Sequence, residues 1–253
     1  MTQRKNCKKK NDEHSTYLSS VDNLNSIEYS VNDNFKLIKS KISHKQVDTK
    51  HFNSSLKLLV LLLGIWSEAR LNKLVNEYDI RTSNNLFTDL EKKLIKLNKQ
   101  KIEEWKTIIE LAFRKHYNLY IGNKLDENNL GSINFQRYVA ILDIVENYLQ
   151  SIIENRNKLA HGQWVCQLNS KGNLLDTENT KELMNENIIT LEKKYQILKL
   201  VTQIIHDLMI SKRTFERDFS KNYNGIIERK KFIDKHASSS YQKLINKLQK
   251  NNI

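Results

Sequence analysis

Glu154-Asn155-Arg156-Asn157-Lys158-Leu159-Ala160-His161-Gly162-Gln163-Trp164 closes the clearest helix pattern in the chain. Read backwards from it, apolar or aromatic residues fall at Tyr138, Leu142, Val145, Leu149 and Ile152, the alternating four-three spacing of one helix face. Carried forward, the same face reaches Arg156 and then Leu159. A guanidinium therefore lies on a stripe expected to be buried. The pattern stops at Gly162, which suits the C′ position and puts His161 at the helix C-cap.

The rest of the chain extends the helical reading. In 253 residues there is no proline and there are only six glycines, so helix breakers are missing almost everywhere. An all-α fold follows. The formal charge of +13 favours an anionic partner, with nucleic acid ahead of a membrane, although a lysine-rich solvated surface would give the same balance. Cys7 and Cys166 are the only cysteines, and they form neither a disulfide framework nor a zinc spacing, which fits a reduced cytoplasmic setting. Met1 to Ser20 has no apolar core of the kind a signal peptide needs. Leu58 to Trp66 is strongly apolar but too short to cross a bilayer, and reads as a buried helix.

Residues 1–16 read as a basic disordered tail, 17–222 as a helical domain and 223–253 as a basic C-terminal helical extension. Within the domain, a helix over 55–78 is capped by Asn53 or Ser54 and leaves the core at Glu68 and Arg70. Residues 79–100 are ambiguous, 102–119 form a helix, 122–131 a polar loop and 133–161 the helix of the opening motif. Lys171-Gly172-Asn173 marks a turn or hairpin, and one long helix spans 180–218.

Arginine followed after four to six residues by histidine occurs twice, at Arg156 and His161 and, with six residues between, at Arg229 and His236, so the spacing alone says little. A helix C-terminus favours nearby cations, which accounts for Lys158 and His161. It does not account for Arg156, which continues the apolar stripe and needs a partner if buried. Asn157 directly after the arginine, and Leu159-Ala160-His161-Gly162 holding the histidine at a capped end, set the first pair apart from the second.

Arg156-Asn157-Lys158-Leu159-Ala160-His161-Gly162 resembles the signature of HEPN domains, in particular the prokaryotic toxin and anti-phage type. The resemblance covers about residues 54–215. It implies a HEPN-like helical bundle, here with additional N- and C-terminal helices. It further implies a metal-independent endoribonuclease that needs no cofactor, with Arg156 and His161 as the catalytic pair and Asn157 as the polar residue shaping the site. By the same resemblance the protein is a homodimer whose two motifs face each other, with RNA as substrate and an antitoxin or defence-system protein as partner. Some toxins of this family carry a tyrosine two residues after the histidine that a partner nucleotidyltransferase modifies. That position is Gln163 here, which leaves that mode of control without its target.

The residue types suit the chemistry. Cleaving RNA without a metal requires the 2′-hydroxyl to attack the adjacent phosphorus, a proton to move near neutral pH and the phosphoryl charge to be stabilised. Histidine serves the proton transfer and an arginine fork the charge stabilisation. Lys158, charged and beside the pair, and Trp164, able to stack on bases, are the expected RNA contacts; Trp164 and Trp105 suit core positions as well. A catalytically silent helical module that binds RNA or a protein is the rival reading. No phosphate-binding glycine loop, HExxH or nucleophile elbow is present in the sequence.

Overall fold

The computed structural model describes residues 2–47, 49–79, 84–97, 100–169 and 171–250, without the side chains of 2–11 and 84. The protein is an all-α helical bundle. Its helices are α1 (Thr2–Ser43), α2 (Lys50–Val75), α3 (Asp89–Lys96), α4 (Lys101–His116), α5 (Glu127–Leu130), α6 (Ser132–Ile144), α7 (Gln150–Ala160), α8 (Thr177–Asn185), α9 (Ile188–Ile210) and α10 (Lys212–Lys250). A two-residue antiparallel pair, β1 (Tyr78–Asp79) with β2 (Asn84–Asn85), follows α2. Among the described residues no helix is long and apolar enough to cross a membrane.

Several boundaries differ from those read in the sequence, each for a local chemical reason. With no proline or glycine near residue 16, α1 is helical from Thr2, and α10 runs through residue 223 and through Gly225 without interruption, since a lone glycine costs only about 1 kcal/mol in a helix. Thr49, not Asn53 or Ser54, caps α2: its Oγ1 accepts the Phe52 backbone N–H at 3.1 Å. The core face of α2 does not end at Glu68, since Ala69, Leu71, Leu74 and Val75 remain buried. The ambiguous stretch resolves into the strand pair and α3, which opens with a reciprocal capping box between Thr88 and Glu91. The polar loop 122–131 contains the single turn of α5.

The long pattern over 180–218 is broken twice. Asn187 Oδ1 accepts the backbone N–H groups of Ile189 and Thr190, and Ser211 Oγ accepts that of Thr214. Short polar side chains that bond the next turn start new helices, while hydrophobic periodicity passes over them unbroken.

The chain divides into two compact units, each assembled from three separate segments. The first comprises residues 1–26, 68–150 and 200–223. Its core centres on Phe113, which meets Tyr138 and Phe215 edge-on at 5.1 and 6.1 Å. Arg137 lies 4.9 Å from the Phe219 ring centre and binds Glu216, which also accepts the Tyr117 hydroxyl. The second unit comprises 27–67, 151–199 and 224–253. Here Trp66 is buried, donates Nε1–H to Glu28 at 3.0 Å and meets Tyr195 edge-on at 5.1 Å. Full burial of such a ring removes enough apolar area to contribute several kcal/mol, and the bond to Glu28 relieves the cost of its N–H.

The first unit also holds a buried polar cluster beside a cavity of about 420 Å³. Lys73 Nζ pairs with Glu77 at 2.6 Å, both almost wholly buried. His206 lies 3.8 Å from Glu77 and 3.7 Å from Asp207. Burial, then the Lys73 and Arg70 cations, outweigh those carboxylates and hold the His206 imidazole down to about 4. An unfolded histidine takes up its proton near 6.5, whereas the folded one resists until about 4. Stability from this group is therefore complete above pH 6.5 and is lost progressively as pH falls toward 4. His206→Gln is expected to flatten the pH dependence of the urea midpoint over that interval relative to the wild type; parallel curves would show that His206 titrates normally.

Candidate active site

The helix carrying the motif is not a uniform α-helix. Between α6 and α7 the turn Val145–Leu149 is π-helical, and the Gln150 N–H reaches back to the Val145 carbonyl. This wide turn absorbs one residue. Ahead of it the buried positions are Ile141 and Ile144, while Tyr138 and Leu142 are only half-buried; within it Val145 and Leu149 are buried. Beyond it Ile152, Ile153 and Leu159 are buried. From Val145 onward the stripe is thus covered within the chain itself.

α7 ends in a complete Schellman motif. The Gly162 N–H binds the Leu159 carbonyl at 3.1 Å and the Gln163 N–H binds that of Lys158 at 3.0 Å. Gly162 has φ +82°, the left-handed conformation that glycine adopts without a Cβ penalty. His161 is therefore the C-cap residue, and its side chain is exposed. Its N–H still binds the Asn157 carbonyl, so helical geometry holds through His161. Five residues of α-helix turn through about 500°, which leaves Arg156 and His161 roughly 140° apart around the axis.

Arg156 is half-buried, and its Nη1 donates to Asn157 Oδ1 at 2.8 Å. The neighbouring turn of α2 explains its depth. A Cβ built on Gly64 would collide with Cβ and Cγ of Arg156 and lie 3.5 Å from the Ile152 carbonyl oxygen. The bare glycine lets the two helices approach at the level of the arginine. Lys158 does not stand free: its Nζ pairs with Asp176 at 2.8 Å. Asp176 in turn caps α8 by accepting the Asn179 N–H, and these contacts, led by Lys158, hold its carboxyl down to about 2. Trp164 is half-buried, whereas Trp105 is a core residue.

Sequence reasoning missed the residues that order the loop after the motif. Asn155 is buried on α7, and its Oδ1 accepts Gln167 Nε2–H at 2.7 Å. Gln167 is wholly buried and donates its backbone N–H to Thr180 Oγ1 at 2.9 Å. Gln163 Oε1 accepts the Leu168 N–H at 2.8 Å, so this side chain braces the loop. The loop then folds back as a hairpin, with Leu168 bridged to Leu175 and Gly172 at φ +71° in the turn. It exposes Val165, Leu174 and Leu175, and Cys166 is an exposed free thiol. A signal for Asn155 was available, since it lies three residues after Ile152 on the buried face. Gly64, alone inside the apolar run Leu58–Trp66, was likewise a sign of close packing.

The second arginine-histidine pair is structural. Arg229 donates to Gln196 Oε1 and to the Gly225 carbonyl, and His236 is exposed beside Phe232. Charge also distinguishes the two units. Segments 27–67, 151–199 and 224–253 carry 20 Lys and Arg against 11 Asp and Glu, a formal +9 of the chain's +13. The motif thus belongs to the more cationic unit. Among the described residues no three His, Cys, Asp or Glu side chains are grouped to hold a metal ion. Compared with known proteins, the chain matches no family model, no curated protein and no solved structure.

Gly64→Ala is expected to lower stability by about 1–3 kcal/mol, despite gaining roughly 1 kcal/mol in helix propensity. Urea denaturation of this variant, of Arg156→Gly and of the double variant checks the origin. If Cβ–Cβ overlap is the cause, the double variant loses less than the two single losses combined; strict additivity would mean the helices do not meet here.

Proposed function

We propose that this chain is a metal-independent endoribonuclease of a toxin or anti-phage defence system, working in the cytoplasm as a homodimer. The observation that carries the reading is the end of α7: Arg156 held beside the Asn157 amide, and an exposed His161 at a tightly capped terminus, in the more cationic of the two units. The resemblance of this segment to the HEPN signature supplies the activity.

In this mechanism one imidazole takes the proton of a ribose 2′-hydroxyl as the oxygen attacks the adjacent phosphorus. The bond to the 5′-oxygen breaks, a second imidazole protonates that oxygen, and a 2′,3′-cyclic phosphate remains. The Arg156 fork stabilises the charge on the phosphoryl oxygens, and the Asn157 amide that accepts from it fixes its direction. One motif offers one histidine, set roughly 140° around the helix from its own arginine. Two copies related by a twofold axis supply both proton-transfer groups. The apolar stripe of α6 and α7 is buried from Val145 to Ile152 and only half-exposed at Tyr138 and Leu142, which gives this pairing little support. Val165, Leu174 and Leu175, exposed on the loop that follows the motif, offer apolar surface for it instead. Lys158 shares its charge with Asp176 and so draws RNA less strongly than a free lysine would, while Trp164 keeps part of its ring available for stacking.

A second reading, a non-catalytic module that binds RNA or a protein, is favoured by the structural use of Asn155 and Lys158 in holding the following loop. Incubation with total RNA in EDTA separates the two. The wild type is expected to degrade it, and His161→Ala to lose about 10²–10⁴-fold in rate with helical content intact. Arg156→Lys, which keeps the charge but not the planar fork, should remain nearly as impaired as Arg156→Ala. Binding without cleavage by the wild type would establish the second reading.

The shared site has its own test. Mixed dimers of an Arg156→Ala chain with a His161→Ala chain are expected to regain part of the activity if one intact residue of each kind from opposite chains suffices. An active species that sediments as a monomer at the assay concentration would end the dimer proposal.

A further inference from the structure

We infer that the solvent face of α10 over residues 231–247 is a docking track for the phosphate backbone of single-stranded RNA. Lys231, Lys235, Ser239, Lys243 and Lys247 follow one another at intervals of four, the ridge spacing of an α-helix, and all five are exposed. The ridge is about 24 Å long, with neighbouring positions about 6 Å apart along the axis. Ser239, the one uncharged position, donates its hydroxyl to the His236 carbonyl. Alongside runs a second exposed ridge of Asp234, Ser238, Gln242 and Asn246, acidic only at its first position. Hydroxyl and amide side chains next to ammonium groups are what phosphate and sugar recognition uses.

Three features distinguish this face from an ordinary solvated one. From Lys235 to Lys250 the sequence contains no carboxylate, and within 224–250 only Glu228 and Asp234 are acidic. Among the described residues none of the four ridge lysines pairs with a carboxylate, although Lys73, Lys158 and Lys194 each do. The ridge also belongs to the unit that contains Arg156 and His161 and carries most of the net charge.

The opposite face of the helix is already committed. Ile226 and Ala237 are buried, Arg229 is bound to Gln196, and Lys193 lies 5.0 Å from the Phe232 ring centre. No large apolar side chain on 224–250 is exposed among the described residues, so α10 has nothing to insert into a bilayer. What remains is cationic and hydrogen-bonding surface, complementary to a polyanion. The choice of RNA rests on the ribonuclease reading; the choice of a polyanionic strand rests on the ridge itself.

The test uses the full-length chain carrying His161→Ala, so that binding is read without cleavage. Fluorescence anisotropy with a labelled oligouridylate of roughly 20 nucleotides is followed between about 50 and 200 mM KCl. Replacing Lys231, Lys235, Lys243 and Lys247 together by glutamine is expected to weaken binding at least tenfold at the lower salt. It should also reduce the slope of log K against log salt by about 2–3, since each neutralised single-strand phosphate contributes roughly 0.7. Glutamine is nearly as good a helix former as lysine, and unchanged circular dichroism confirms that α10 persists. The same change at Lys92, Lys93, Lys96 and Lys101, a control of four lysines around α3 and the start of α4, should leave the slope intact. Equal losses from both sets, or no change from the ridge variant, would overturn the assignment, as would ridge-dependent binding to anionic phospholipid vesicles in place of oligouridylate. Degradation of total RNA by the wild type judges the ribonuclease reading separately, because a chain that fails to cut can still bind through the ridge.

Discussion

Arg156 stands where it does because α2 has no side chain at Gly64. The rest of the motif depends on that close approach. The backbone of α7 is drawn against α2 at Ile152 and Arg156, so the first carbons of the arginine are packed and its Nη1 is turned to the Asn157 amide oxygen. A longer residue at position 64 would push the helix away and carry Asn157 and His161 with it. One missing methyl group therefore sets the depth of a cation, and the cap at Gly162 sets where the following histidine emerges.

Beyond the cap, two interactions hold the loop, and they differ in kind. The Asn155–Gln167 amide pair is buried, so losing one partner strands a polar group at a cost of about 1–3 kcal/mol. The Lys158–Asp176 pair lies near the surface, where water and salt screen such pairs and leave them little net stabilising effect. Its contribution is present above the usual carboxylate range and disappears as pH falls toward 2. At neutral pH the loop's order rests chiefly on the neutral pair. The ion pair does more to set charge, since it withdraws one lysine from the cationic surface beside the motif.

Much of this was legible in the sequence because it depends on local rules. The helical class follows from absent breakers, and the end of α7 follows from the spacing of His161 and Gly162. The π turn was not legible. Tyr138, Leu142, Val145, Leu149 and Ile152 read as one unbroken stripe, yet they belong to two faces offset by a residue, and four-three spacing cannot reveal an extra residue taken up by the backbone. The breaks at Asn187 and Ser211 were hidden for the opposite reason, since hydrophobic periodicity continued across a polar cap. The partners of Asn155 and Lys158 lie 12 and 18 residues away and became visible only once the hairpin had folded back. Residue types and spacing suggested the chemistry of the motif, but not which of its side chains are occupied in holding the fold.

The interleaving of segments bears on how the protein is made. Neither unit is a continuous stretch of chain, and the unit containing Arg156 and His161 needs residues 224–253 as well as 27–67. The motif therefore leaves the ribosome dozens of residues before the segment that completes its surroundings. Domains assemble as units during synthesis, and contacts between distant segments wait for the later one to arrive. A nascent chain would carry the arginine and histidine without the packed environment that positions them. On the ribonuclease proposal, such a delay would shield the translating message from its own product until residues 224–253 have been made.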